Sequence, residues 1–97
     1  MNDLRRAAAE ARRRHPEITR ILLAGSLARG DWTADSDADL IVVVRRGFRD
    51  LFDRSRYQIT SRRIPTDTLV YSEQEYAALT GDRSSPLAEA LASAIEL

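Results

Sequence analysis

The sequence predicts a small α/β domain in which a mixed β-sheet carries helices packed mainly on one face. Two apolar runs of strand length, Ile18–Ala24 and Ala38–Val44, supply the predicted central strands. The segment before them has apolar residues at helical spacing, so the chain begins with a helix followed by a strand. The 97 residues are enough for one domain, which we assign to residues 1–97.

The first element is a helix that Asn2 can cap and that runs to about Arg14. Its apolar side chains recur at a helical interval and so predict one buried face, made of Leu4, Ala7, Ala8 and Ala11. Pro16 ends the helix. The three arginines of the last turn complement the helix macrodipole, so we interpret them as a solvated helix end.

Three strands are expected to form the sheet. The five consecutive apolar residues Leu40–Val44 predict a strand that is buried on both faces. A third strand is predicted at about Ile64–Tyr71. Because Pro65 cannot donate a backbone hydrogen bond, this strand is expected at an edge of the sheet or to begin pairing after Pro65.

The other helices are indicated by caps and spacing. Residues 48–61 show a mixed helical pattern, with one face made of Phe48, Leu51, Phe52 and Ser55. Ser72 and Glu75 have the spacing of a capping box, which predicts a helix to about Leu79. Ser85 and Pro86 begin a final predicted helix, whose apolar side chains are Leu87, Leu91 and Ile95.

Composition excludes several classes of chemistry. The chain has no cysteine, which rules out disulfides and thiolate catalysis, and a cytoplasmic setting is expected. All 15 basic residues are arginine, so lysine-based catalysis is excluded. The formal net charge of zero argues against broad nucleic-acid binding. No apolar run approaches the ~20 residues of a membrane span.

Two aspartates that open a strand are the first candidate site. Asp37 and Asp39 are two residues apart, so in a strand both point to the same face, with Cα atoms about 6.6 Å apart. At that distance their charges repel by roughly 2–3 kcal/mol at an effective dielectric near 20. A divalent cation with a preference for oxygen ligands, such as Mg²⁺, would offset this repulsion. The alternative is a solvated acidic loop, but the apolar strand that follows favours a site beside the core.

A Gly-Ser turn precedes the aspartates. Gly25 follows the first strand and allows the backbone to approach a ligand closely. Ser26 would begin a helical turn whose N–H groups and hydroxyl can bind phosphate oxygens. Alone, this would be an ordinary turn at the end of a strand. Because the Asp-x-Asp pair follows after ten residues, we interpret the Gly-Ser turn as a phosphate site.

Asp67 is a candidate third carboxylate. Aspartate is disfavoured inside strands, so its place in the third predicted strand calls for a reason. The simpler interpretation is an exposed side chain on an edge strand. If the second and third strands are neighbours, Asp67 would instead stand beside Asp37 and Asp39. Three such acids can hold two divalent ions about 3.5–4 Å apart.

These residues resemble the minimal nucleotidyltransferases of the DNA polymerase β-like superfamily. That family has Gly-Ser or Gly-Gly after a hydrophobic residue, about ten further residues, and Asp-x-Asp before a hydrophobic strand. Here the pattern is Ala24-Gly25-Ser26, ten residues, and Asp37-Ala38-Asp39 followed by Leu40-Ile41-Val42. The resemblance implies the nucleotidyltransferase fold and transfer of a nucleoside monophosphate, such as AMP from ATP, with two Mg²⁺ ions.

The resemblance also implies roles for the site residues. Gly25 and Ser26 would hold the β- and γ-phosphates, and Arg29 could assist them or lie on the surface. Asp37 and Asp39 would bind the metal ions. Asp67 would be either a third metal ligand or the general base, and the sequence does not separate these two roles.

In that family, small members are typically paired with a HEPN-domain toxin. The resemblance therefore implies an antitoxin that attaches AMP to a tyrosine of its partner, with a homo- or hetero-oligomer as a further expectation. Two alternatives stay open. The protein could be a stand-alone enzyme that modifies a small molecule such as an aminoglycoside, or a non-catalytic antitoxin that neutralises the toxin by contact.

Overall fold

The computed structural model describes residues 2–25, 30, 38–61, 64–82, 84, 88, 91–92 and 94–97. Within them, one four-stranded mixed sheet has the strand order β3-β2-β1-β4. β2 is antiparallel to β1 and parallel to β3, and β4 is antiparallel to β1. The strands are β1 (Ile18–Ala24), β2 (Ala38–Val44), β3 (Thr66–Ser72) and β4 (Ile95–Glu96), and the helices are α1 (Asn2–Arg14), α2 (Leu51–Ser55) and α3 (Glu73–Gly81). The predicted mixed sheet is confirmed.

The larger part of the core lies on the sheet face that α1 covers. Leu4 and Ala8 of α1 are buried there, as the helical spacing predicts. They pack with alternate residues of the strands and with two residues beyond α2, so that the cluster includes Ile21, Leu23, Leu40, Val42, Val44, Val70, Tyr57 and Ile59. Of the predicted helices, α1 packs on this face, whereas α3 packs on the other.

The opposite face of the sheet carries a smaller cluster. Its buried members are Leu22, Ala24 and Ile41, which alternate along β1 and β2 with the residues of the larger cluster. Tyr76 and Leu79 of α3 pack against them. Both faces of β1 and β2 are therefore covered, which accounts for their nearly continuous apolar sequence.

The predicted bounds of α1, β1 and β2 agree with the structure. β3 begins at Thr66, two residues later than predicted, and forms an edge of the sheet. The later start follows from Pro65, which has no N–H to give to a neighbouring strand, and the edge position is one of the two predicted outcomes. The capping box is present, since Ser72 and Glu75 bind each other's backbone N–H groups, and α3 extends two residues beyond the predicted end.

The helical prediction for residues 48–61 is largely wrong. Only α2 is helical, and Phe52, placed on its apolar face, is 85% exposed. Tertiary contacts end the helix early. Tyr57 is buried, and its hydroxyl accepts a hydrogen bond from Arg46 at 3.1 Å. The Ile59 N–H donates to Thr68 Oγ1 at 3.3 Å.

The end of the chain also differs from the prediction. Ile95, predicted in the final helix, begins β4, which pairs with Leu22 and Leu23. The N–H of Leu97 donates to the carbonyl of Ile21 at 2.9 Å, so this segment supplies hydrogen bonds that the outer edge of β1 otherwise lacks. The predicted start of the helix, at Ser85, Pro86 and Leu87, lies outside the described residues.

None of the helices in the described ranges is long and apolar enough to cross a membrane.

Candidate functional site

Three of the predicted site residues meet at one end of the sheet. Gly25 directly follows β1, Asp39 is the second residue of β2, and Asp67 is the second residue of β3. β1 runs antiparallel to β2, so its end lies beside the start of β2. β3 runs parallel to β2, so the two strands start at this same end. The directions of the three strands thus bring these residues to the same end of the sheet.

The register of β2 and β3 places the two aspartates side by side. Asp39 is the partner of Asp67 across the parallel pair, and it is also the partner of Ala24 across the antiparallel pair. Just before β3, the carbonyl of Pro65 accepts a hydrogen bond from the Ala38 N–H at 2.8 Å. Pro65 therefore contributes its carbonyl to the alignment although it has no N–H to donate.

Both carboxylates lie on the same face of the sheet. Asp39 and Asp67 are exposed, whereas the next residue in each strand, Leu40 or Thr68, is buried and points to the opposite face. Neighbouring strands are about 4.8 Å apart, so the backbones of Asp39 and Asp67 are separated by about this distance. The two acids share the face of Ile41, opposite α1. Exposed acids beside buried neighbours are accessible to a ligand at the margin of the core.

Gly25 lies against the Asp39 side chain. Its φ of +79° is in the left-handed region, which side chains other than glycine rarely adopt. A Cβ at this position would collide with Asp39 Oδ2 and lie 3.2 Å from Asp39 Cγ. The glycine is needed both for its backbone conformation and for the close approach of the carboxylate. The sequence predicted a close approach to a ligand, and the structure adds this contact with the acid.

The strand that carries Asp67 is held along its outer edge by side chains that the sequence analysis did not identify. Thr66 Oγ1 donates to the Ile59 carbonyl at 2.7 Å. Further along, Arg54 donates to the Val70 carbonyl at 2.8 Å and forms an ion pair with Glu75 at 3.2 Å. The bond to Val70 occupies a backbone carbonyl that an edge strand would leave unpaired, and the other two contacts attach side chains of β3 and α3 to the segment beside that edge. No local sequence signal predicts these contacts. Arg54 is 16 positions from Val70 and 21 positions from Glu75, and Ile59 lies in an irregular segment.

Three other predicted site residues, Ser26, Arg29 and Asp37, lie outside the described residues. The structure therefore describes two of the three proposed carboxylates, Asp39 and Asp67. Asp67 lies beside Asp39, as the proposal requires.

The described carboxylates fit the ligand chemistry of a divalent metal ion. Two exposed carboxylates at adjacent register positions offer oxygen donors, which Mg²⁺ prefers, and Mg²⁺ commonly takes only one or two protein carboxylates. Among the residues that the structure describes, no group of three or more His, Cys, Asp or Glu side chains is arranged to hold a metal ion. With the described residues alone, the remaining ligands would come from water or substrate.

Comparison with known proteins gives two matches. The family described as "Nucleotidyltransferase domain" matches residues 4–80, which include all three described site residues. The fold is similar to the crystal structure of "a putative nucleotidyltransferase from Sulfolobus solfataricus", with a TM-score of 0.62 and 26% sequence identity. That alignment covers 79% of this chain and 70% of the other. No curated protein shows significant similarity to the chain.

Proposed function

Because this chain belongs to the nucleotidyltransferase domain family, which matches residues 4–80, we propose that it transfers AMP from ATP to a hydroxyl acceptor with the aid of Mg²⁺. The observation that carries the proposal is the placement of Asp39 beside Asp67, with the Gly25 backbone against the Asp39 carboxylate. Two neighbouring carboxylates can bind a metal ion, and the glycine turn beside them can bind the phosphates of the nucleotide that the same metal ion contacts.

Each site residue has a proposed role. Asp37 and Asp39 hold the divalent cations, and Gly25 and Ser26 bind the β- and γ-phosphates, with Arg29 as an additional phosphate contact. Asp67 is a third ligand or the general base. When bound, the metal ions supply positive charge that neutralises the triphosphate and the departing pyrophosphate.

The proposed reaction is a displacement at the α-phosphorus of ATP. The acceptor oxygen forms a bond to this phosphorus, and the bond from phosphorus to the oxygen that bridges to the β-phosphate breaks. Pyrophosphate leaves with the electron pair, and the acceptor proton passes to a base, for which Asp67 is one candidate. Asp39 and Asp67 are both exposed, so an acceptor can reach them from solvent.

We propose a tyrosine of a HEPN-domain toxin as the acceptor, which makes the protein an antitoxin. This part of the proposal is supported by the resemblance of the Gly-Ser and Asp-x-Asp pattern to small nucleotidyltransferases that are paired with such toxins. The alternatives, a small-molecule acceptor and neutralisation without catalysis, predict different results in one experiment.

The test is to incubate the protein with labelled ATP, Mg²⁺ and a HEPN-domain toxin, and to map the adduct by mass spectrometry. AMP on a tyrosine of the partner is the expected result. Labelling of an aminoglycoside but not of the partner would favour the stand-alone enzyme.

A double variant, Asp37→Asn with Asp39→Asn, separates catalysis from contact. It should abolish the labelling while the fold remains intact by circular dichroism. If the double variant still protected cells from the toxin, neutralisation by contact would replace the proposed mechanism.

A further inference from the structure

A cavity of about 630 Å³ lies between α1 and the segment 56–61. This segment forms one wall of the cavity. The residues of α1 that line it are three or four positions apart, so they form one face of the helix, made of Asp3, Arg6, Ala7, Glu10, Ala11 and Arg14. Because two of these residues are alanines, the helix leaves space in front of the opposite wall.

The cavity is separate from the candidate transfer site. Tyr57 and Ile59, which line it, belong to the cluster on the α1 face of the sheet. Asp39 and Asp67 lie on the other face. The sheet therefore stands between the two sites, and a ligand of the cavity would be a different molecule from the nucleotide held by the aspartates.

Two arginines of the cavity are available to bind an anion. Arg6 forms no ion pair within 4.0 Å in the part of the chain that the structure describes. The Arg56 Nε lies 3.7 Å from a carboxylate oxygen of Asp53, and that oxygen is already bound by Arg46 at 2.9 Å. A third arginine of the lining is paired with Glu10. Arg6 and Arg56 thus supply positive charge from opposite walls.

The hydroxyl of Ser61 is a further polar group of this cavity. Its oxygen is buried and has no hydrogen-bond partner among the described residues. An unpaired buried hydroxyl is unfavourable, and a ligand oxygen in the cavity would satisfy it.

We propose that this cavity is a second binding site, for a small organic anion that carries a phosphate or carboxylate group. Guanidinium groups bind both kinds of anion by charge-assisted hydrogen bonds, which Arg6 and Arg56 would form. The volume lies in the range of small-molecule sites, so an organic body accompanies the charged group. Ala7 and Ala11 provide the apolar surface that contacts this body.

The test is a titration of the full chain followed by the NMR shifts of its backbone amides. The probes are ribose 5-phosphate, citrate and inorganic phosphate, with ribose as the uncharged control. Saturable shifts near Arg6, Arg56 and Ser61, without shifts at Asp39 and Asp67, are expected for an organic anion. Tighter binding of ribose 5-phosphate would identify a phosphate as the anionic group of the ligand, and tighter binding of citrate would identify a carboxylate. Equal binding of inorganic phosphate, or no saturable shift below about 10 mM of either organic anion, would overturn the proposal.

Variants of the two arginines test their direct contact with the ligand. Arg6→Gln and Arg56→Gln should each weaken binding about tenfold, because each removes charge-assisted hydrogen bonds. Arg5→Gln is the matched control, since Arg5 is exposed on the same helix and does not line the cavity. Ala7→Leu narrows the cavity and should weaken binding without removing a charge. Equal effects of Arg5→Gln and Arg6→Gln would indicate only a general attraction of anions to the basic helix.

Discussion

Asp39 of β2 and Asp67 of β3 occupy partner positions on neighbouring parallel strands, so two like charges lie on the same face of the sheet. Like charges in adjacent strands are destabilising. Their presence at the start of both strands is unfavourable for folding but suits the binding of a cation. This opposition between stability and binding can be measured.

Asp67→Asn is expected to stabilise the metal-free protein by about 0.2–1 kcal/mol, because it removes one of the two neighbouring charges. The same change should reduce the stabilisation that Mg²⁺ confers, since a ligand is lost. Urea unfolding with a chelator and with Mg²⁺ measures both effects. Glu73→Gln, which removes an exposed carboxylate from α3, should leave the response to Mg²⁺ unchanged. An unaltered Mg²⁺ response in Asp67→Asn would argue against Asp67 as a ligand.

Three Gly→Ala variants separate backbone strain from the contact with Asp39. Gly25 and Gly30 both have positive φ, but an added Cβ meets Asp39 only at Gly25. Gly30→Ala should cost about 1 kcal/mol from strain, and Gly25→Ala about 1–3 kcal/mol more from the collision. Gly47→Ala has neither problem and should change stability by less than about 0.5 kcal/mol.

The glycine variants also differ in their expected activity. Gly25→Ala should lower the incorporation of labelled AMP, because the added methyl displaces the Asp39 carboxylate. Gly47→Ala should retain wild-type incorporation. Similar activity and stability for Gly25→Ala and Gly30→Ala would show that the contact with Asp39 has no consequence.

The ion pair of Arg46 and Asp53 predicts a loss of stability in acid. Arg46 donates to both Asp53 oxygens at 2.9 Å, and this pairing lowers the pKa of Asp53 to about 2. The pKa is lower in the folded state than in the unfolded state. The stabilisation is therefore complete above the unfolded pKa near 4 and is lost as the pH falls through about 2.

Unfolding by urea between about pH 4 and pH 2 tests this pair. Asp53→Asn should reduce the fall in stability over that range and should lower stability at neutral pH. Asp50→Asn is a control on the neighbouring carboxylate, which caps α2 and is not bound by Arg46. If wild-type protein and Asp53→Asn lost stability in parallel, the acid sensitivity would arise elsewhere.

The capping box at the junction of β3 and α3 should have a measurable effect on stability. Ser72 Oγ accepts from the Glu75 N–H at 3.1 Å, and Glu75 accepts from the Ser72 N–H at 2.9 Å. The hydrogen bond from Ser72 also lowers the pKa of Glu75. Ser72→Ala should cost about 1 kcal/mol in the free energy of unfolding. Ser55→Ala, which removes an exposed hydroxyl from α2, should cost less.

Local patterns were sufficient for several elements and for the candidate residues. The spacing of Leu4 and Ala8 predicted the buried face of α1, and Ser72 with Glu75 predicted the start of α3. The apolar residues of β2 predicted a strand covered on both faces. In these cases, the periodicity of the backbone and hydrogen bonds between residues close in sequence carry the information.

Local patterns failed where distant contacts override them. Residues 48–61 have a helical pattern, but Tyr57 enters the core and Ile59 bonds to β3, so the helix ends at Ser55. Ile95 fits a helix by spacing and instead pairs with β1. The edge of β1 that Ile95 pairs with exists only in the assembled sheet, so the residues around Ile95 do not predict this pairing.

The amino-acid sequence alone determined that Asp39 and Asp67 are unusual, because aspartate is disfavoured inside strands. Only the tertiary structure decided that they are neighbours. That result depends on the parallel pairing of β2 and β3 and on the hydrogen bond from Ala38 to Pro65, which aligns the two strands. A shift of this register by one residue would place the carboxylates on opposite faces of the sheet, because side chains alternate along a strand.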